Sequence, residues 1–294
     1  LQYWHFATFG DSAVVYVPRF VEIDAPIVVD VPVTGDEVLR TPHLIVILEE
    51  GARASVIKRI SSPEDGEVLI VDADELIVND AAALSFVTIQ RTNNESLYFA
   101  NSRGFVGRDA QISRTEAALG ADFVKTRYES ELAGQGADAV LNGLYFGTEE
   151  EHIDLRTVQR HAAPRTTSRA LYKGAVRGES HSIYQGLIQV SHDAVGTDAY
   201  LTNNNLVLSE DARADSIPSL NISTDDVRCS HGSTTGKLGA TQIYYLRTRG
   251  YTEEEARLMI VEGFFEGLVA LCPELVQDEL RELIADRLHH VDDE

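Results

Sequence analysis

The chain has 294 residues, 44% of them hydrophobic and 24% charged, a balance that supports a sizeable core in one large domain or two smaller ones. Its formal net charge of −22 argues against nucleic acid or an anionic membrane surface as partner, because phosphate neutralisation needs clustered Lys and Arg. No apolar run approaches the roughly 20 residues that span a bilayer. Two cysteines, Cys229 and Cys272, make no disulfide framework in a chain this long, so a reducing cytoplasm is the expected compartment. The start, Leu1-Gln2-Tyr3-Trp4-His5, has no basic region ahead of an apolar one and no Met, which leaves residues before Leu1 open.

From about Ser12 to Val227 the chain reads as strand after strand. Early runs are 13–17, 27–31, 44–48 and 54–58; later ones are 85–90, 122–126, 139–145 and 182–190. Many alternate apolar and polar residues, and Gly, Asn, Asp or Pro punctuate them. The stretch from Asp72 to Ala83 is ambiguous between helix and strand, and no helical period stands out elsewhere before about residue 238. A small or charged turn, then an Ala, then an alternating strand recurs at Glu50-Gly51-Ala52, Gly134-Gln135-Gly136-Ala137 and Ser209-Glu210-Asp211-Ala212. Such recurrence suggests stacked coils, a β-solenoid, while a β-sandwich remains open on pattern alone. Strands this numerous without intervening helices argue against βαβ units.

After Gly236 the pattern turns helical. Residues 241–247 read as one helix, closed by basic residues and Gly250. Thr252-Glu253-Glu254-Glu255 is a capping box, and Ala256, Met259, Ile260, Gly263, Phe264 and Leu268 follow at helical spacing. Pro273 ends that helix, and a last one carries Leu275, Leu280, Leu283, Ile284 and Leu288. The expected division is a β core over 1–237 and a helical module over 238–294.

Two clusters carry candidate chemistry. Cys229 and His231, two apart in Arg228-Cys229-Ser230-His231-Gly232, would share one face of a strand. A thiolate beside an imidazole suits iron, zinc or a sulfur intermediate, and a buried Cys packing as a small hydrophobe is the competing reading. His152, Asp154 and His161 form a second cluster, in which His152 and Asp154 would share a strand face, as a pair for acid–base work or as a structural ladder. The run Asn203-Asn204-Asn205 reads as a turn with a structural role, and Cys272 reads as packing in the helical module.

Taken together, these segments resemble the SufB/SufD family of iron–sulfur cluster assembly scaffolds. The likeness is strongest across 203–215, Pro218-Ser219-Leu220-Asn221-Ile222, Asp226-Val227-Arg228-Cys229-Ser230-His231-Gly232 and Tyr245-Leu246-Arg247-Thr248-Arg249-Gly250. The resemblance implies a right-handed parallel β-helix core followed by C-terminal helices that dock a SufC-like ABC-type ATPase. It implies a non-enzymatic subunit, with ATP hydrolysed by that partner. It implies a transient iron–sulfur cluster, handled where this chain meets a SufB-like subunit or a second copy of itself. Cys-Ser-His-Gly is the SufD-like form; SufB-type chains carry Cys where this chain has Asn203. His231 matches the SufD histidine that faces the partner, and Cys229, with Asp225 in a self-paired form, is a further candidate ligand. Bacterial SufD-type chains carry an N-terminal helical region that this sequence does not show. Two other readings stay open: a β-helical carbohydrate-active enzyme using Glu151 and Asp154, and a purely structural dimerisation subunit.

Overall fold

The computed structural model describes residues 2–10 and 12–289. A short helix, α1 (Gln2–Thr8), precedes β1 (Ser12–Val17), β2 (Ile27–Pro32), β3 (Val38–Arg40), β4 (His43–Leu48), β5 (Arg53–Ser61) and β6 (Val68–Val78). Then come β7 (Ala83–Arg91), β8 (Leu97–Val106), β9 (Gln111–Ala118), β10 (Phe123–Leu132), β11 (Asp138–Gly147) and β12 (His152–His161). The β part ends with β13 (Thr167–Val176), β14 (His181–Val190), β15 (Thr197–Val207), β16 (Arg213–Ile222) and β17 (Val227–Lys237). Three helices follow: α2 (Ala240–Thr248), α3 (Glu253–Val269) and α4 (Glu274–His289).

The chain is a parallel β-solenoid of about eight turns. Among the described residues, one sheet runs β1-β4-β6-β8-β10-β12-β14-β16, with β3 also on β6, and the other runs β17-β15-β13-β11-β9-β7-β5-β2. Successive strands thus alternate between two sheets, and each strand pairs with the one a full coil away. The β-sandwich is excluded by this order and by the parallel pairing throughout. Phe123 pairs with His152, and His152 with His181, at a repeat of 29 residues. The ambiguous stretch after Asp72 is strand: it falls largely in β6.

The recurrent turn-Ala unit is the corner of each coil. Gly51, Ala81, Asp109 and Gly136 take positive φ there, and the Ala that follows each is fully or almost fully buried. The corners are themselves laddered: Ala81 N–H donates to the Arg108 carbonyl, and Asp109 N–H to the Gln135 carbonyl. A small residue is needed because corners of adjacent coils lie one strand spacing apart.

Inward positions along the coils divide the core in two. On β6, Asp72 and Asp74 separate Ile70 of one apolar cluster from Leu76 of the other. Lys58 Nζ, also fully buried, donates to Asp72 at 2.5 Å and to Asp74 at 2.6 Å. Tyr98 Oη donates to Asp72 at 3.0 Å, and Arg114 lies 3.5 Å over the Tyr128 ring. Burial would lower the Lys58 pKa, but the two aspartates outweigh it and raise it. Glu116 lies in the same polar seam, near the Tyr172 hydroxyl at 3.3 Å, and burial pushes its carboxyl up to about 7 against the opposing pull of Arg114. Further along, tyrosines and glycines alternate: Gly143 pairs with Tyr172, and Tyr145 with Gly174. A Cβ at Gly174 would lie 1.9 Å from Tyr145 Cε2, a direct clash with the ring.

The helices cover one sheet face. Val261, Phe265, Leu268, Val276, Leu280 and Leu288 join Ile57, Val87, Leu144 and Phe146 in a third apolar cluster. The capping box is formed: Glu255 N–H donates to Thr252 Oγ1 at 3.2 Å, and Thr252 N–H to Glu255 Oε2 at 2.7 Å. The buried stripe of α3 is rotated from the sequence expectation: Val261 and Phe265 are buried while Met259 is exposed. Apolar residues on both sides of α3 made either stripe compatible with helical spacing. Leu275 is likewise exposed at the start of α4. Helix α1 gave no periodic signal because seven residues span only two turns.

Gly174→Ala is expected to destabilise the protein by about 1–3 kcal/mol through overpacking against Tyr145, read as a lower urea midpoint with an unchanged slope. Glu116 gives a pH prediction. Its folded pKa lies above the unfolded value of 4.5, so the folded state keeps a proton that the unfolded state has lost, and stability falls as pH rises between the two values. Glu116→Gln should therefore gain on the wild type by on the order of 2–3 kcal/mol between about pH 5 and 8, measured by urea unfolding at each pH.

Candidate functional site

Strands β16 and β17 form the last coil. Each pairs on one side only, β16 with β14 and β17 with β15. No described residue covers their other edge, so a row of backbone groups is left unpaired there. Leu220 and Ile222 pair with buried Ile188 and Val190 and so point inward, yet they are 39% and 37% exposed. The solenoid core is open at this end.

Cys229 and His231 sit on β17 at this opening. Cys229 pairs with Ala199, and His231 with Leu201, both buried inward residues. Strand periodicity gives Cys229 and His231 the same face. Cys229 packs against the apolar cluster below it and is half-buried. Further along the same face, Thr235 accepts from Asn205 Nδ2 at 3.5 Å. Burial pushes the Cys229 thiol up, and nearby Asp198 adds to this against a backbone hydrogen bond at Ala199. His231 is exposed. Among the described residues, no group of three or more His, Cys, Asp or Glu could hold a metal ion.

Asn203 and Asn205 lie within β15 and not in a turn, which corrects the sequence expectation. Both point inward. Asn203 Nδ2 donates to Tyr145 Oη at 3.0 Å, and Tyr145 Oη donates to Asn205 Oδ1 at 2.6 Å. Asn is a turn former in isolation, but here the ladder of β13 and the Tyr145 hydroxyl satisfy its amide and override that preference.

The second cluster is a structural ladder. Asp154 accepts from Lys125 and from Arg156. Burial pushes its pKa up, but those hydrogen bonds outweigh it and hold the carboxyl below its ordinary value. His152 stacks on Phe123 at 5.1 Å and meets His181 edge-on at 5.1 Å. His161 faces the interior, bonded to Thr166 and Ser168 at 2.7 and 2.8 Å, and burial lowers its pKa to about 4. Glu151 is buried against Arg287 of α4. Glu151 and Asp154 are thus tied to separate cations. Cys272 is buried among the helices, its thiol pushed up to about 11 by burial.

Residues 32–264 match the family model described as "SUF system FeS cluster assembly, SufBD core domain". The chain belongs to the SufBD family. It is 33% identical over 293 residues to an iron–sulfur cluster assembly SufBD family protein of Mycobacterium bovis, covering 97% of this chain and 72% of that one. It is 32% identical over 259 residues to the iron–sulfur cluster assembly protein SufD of Escherichia coli, covering 87% and 61%. A SufBD family protein of Staphylococcus epidermidis is 25% identical over 279 residues, covering 95% and 60%. No helix among the described residues is long and apolar enough to cross a membrane.

Iodoacetamide on the native SufBD-family chain should label Cys229 before Cys272, because Cys272 is 5% exposed with the higher thiol pKa. Peptide mass spectrometry of the two sites, with and without denaturant, checks this.

Proposed function

We propose that this chain is a scaffold subunit for iron–sulfur cluster assembly, with the nascent cluster as cargo at the open end of its solenoid. The observation that carries this reading is the uncapped last coil, which exposes a thiol and an imidazole on one strand face beside unpaired backbone. A second chain docking there would bury Leu220 and Ile222, pair the strand edges and complete the ligand set. That chain is a SufB-like subunit or a second copy. Cys229 and His231 are this chain's contribution, and Asp225, in the turn before β17, is near enough in sequence to join them in a self-paired form.

The helical module over 238–294 is proposed to dock a SufC-like ABC-type ATPase, which hydrolyses the ATP. α3 and α4 spend their apolar faces on the sheet, whereas α2 buries no residue. Tyr244 is 70% and Tyr245 55% exposed, and exposed tyrosines on an unburied helix suit an interface anchor.

The test is anaerobic co-expression with an ABC-type ATPase and a SufB-like chain, then iron and sulfide analysis with a visible spectrum. A chromophore that falls at least about tenfold in Cys229→Ser/His231→Ala, with the complex intact, supports the assignment. Undiminished iron and sulfide in that variant would reduce the last coil to a structural interface. Tyr244→Ala/Tyr245→Ala should weaken ATPase association roughly tenfold or more, measured by calorimetry; unchanged affinity would remove α2 from the interface.

A further inference from the structure

On the outer face of one sheet, β10 and β12 set two arginines side by side. Arg127 pairs directly with Arg156 in the ladder, and the same row holds Asn101 on β8 and Gln185 on β14. These four positions include no carboxylate. Like charges directly opposite each other on a sheet destabilise it, and the adjoining rows offset this only in part. Asp154 is shared by Lys125 and Arg156, and Glu129 by Arg127 and Arg160. Arg156 turns Nε and Nη2 to Asp154. Arg127 gives Nη2 to Glu129 at 3.2 Å, and its Nε and Nη1 have no hydrogen-bond partner among the described residues. Cations that share their carboxylates two to one leave a local excess of positive charge, in a chain of formal net charge −22.

The pair borders a cleft of about 680 Å³ between α1 and the sheet. Phe6 of α1 and Phe99 and Phe105 of β8 line it. Phe6 is 59% and Phe105 43% exposed, so large rings are left in water beside unshared guanidinium N–H groups. Rings favour offset or edge-on ring partners, and a guanidinium fork favours a planar oxyanion. Arg127 stands one strand spacing from β8, about 5 Å, a gap that one or two fused rings bridge. A rigid ring also loses less conformational freedom on binding than an acyl chain of equal volume. Glu75, on β6 and also lining the cleft, repels an anion placed near it and so directs the charged end toward β12.

We propose that this cleft binds a small aromatic acid, its ring among Phe6, Phe99 and Phe105 and its carboxylate against Arg127 and Arg156. Bound there, the carboxylate neutralises the repulsion between the two guanidinium groups.

Isothermal titration of the 294-residue chain with 2-naphthoate tests this. One saturable site is expected, with a Kd on the order of 0.1–1 mM. 2-Naphthylmethanol keeps the rings without the charge and should bind at least about tenfold more weakly. Octanoate keeps the charge without the rings and should bind at least about threefold more weakly. Arg127→Gln should weaken 2-naphthoate about tenfold. Its urea midpoint should be no lower than that of the wild type, because one of two opposed like charges is gone, and this separates lost binding from lost folding. Phe105→Ser, at a partly exposed ring, is the second variant and should weaken binding about three- to tenfold. Arg53→Gln removes an exposed arginine of the other sheet and should leave binding unchanged. The assignment is overturned by no saturable binding of 2-naphthoate, by equal affinity for the alcohol or octanoate, by unchanged binding in Arg127→Gln or Phe105→Ser, or by an equal loss in Arg53→Gln.

Discussion

Each coil of this solenoid is held by the coil before it, in unbroken parallel register. That one constraint governs the rest. Residues a coil apart are forced into contact, so each inward position must suit its neighbours above and below. It also means that, among the described residues, the last coil has no neighbour on one side. The Cys229–His231 face owes its exposure to nothing local. The same inward positions one coil earlier, Ala199 and Leu201, are closed off by β17 itself.

The same register explains the polar seam. A fully buried Lys58 would be untenable alone, since a lone buried charge costs several kcal/mol. Stacking places Asp72 and Asp74 on the facing sheet within reach, and the tyrosine hydroxyl of the next coil satisfies a remaining oxygen. Removing one member leaves its partners charged and dry, so the seam acts as a unit. It ties β5, β6, β8 and β9 together across the width of the core and fixes how the two sheets face each other.

The helices and α1 use the outer faces of the two sheets, and they do so differently. α3 and α4 bury a continuous apolar stripe and are anchored by Arg287 to Glu151 and by Arg59 to Glu279. Among the described contacts of α1, His5 meets the Val71 carbonyl and His43, and the Thr8 carbonyl accepts from Thr41 Oγ1.

Much was legible in the residues alone. Alternation with Gly, Asn and Asp punctuation marked the strands, the turn-Ala unit marked the corners, and Thr252 with Glu255 marked a helix start, because each reflects local backbone geometry. The placing of Cys229 and His231 on one strand face was legible for the same reason. The choice between solenoid and sandwich was not, since both offer short alternating strands, and only pairing a coil away decides it. Nor could sequence place Asn203 and Asn205 inside a strand, where a tyrosine from two coils earlier satisfies them. The rotation of the buried stripe on α3 and the meeting of His5 with His43 rest equally on contacts between distant segments. Local conformational preference is written residue by residue, whereas which residues become neighbours depends on the register of coils about 29 residues apart, and that only the folded chain decides.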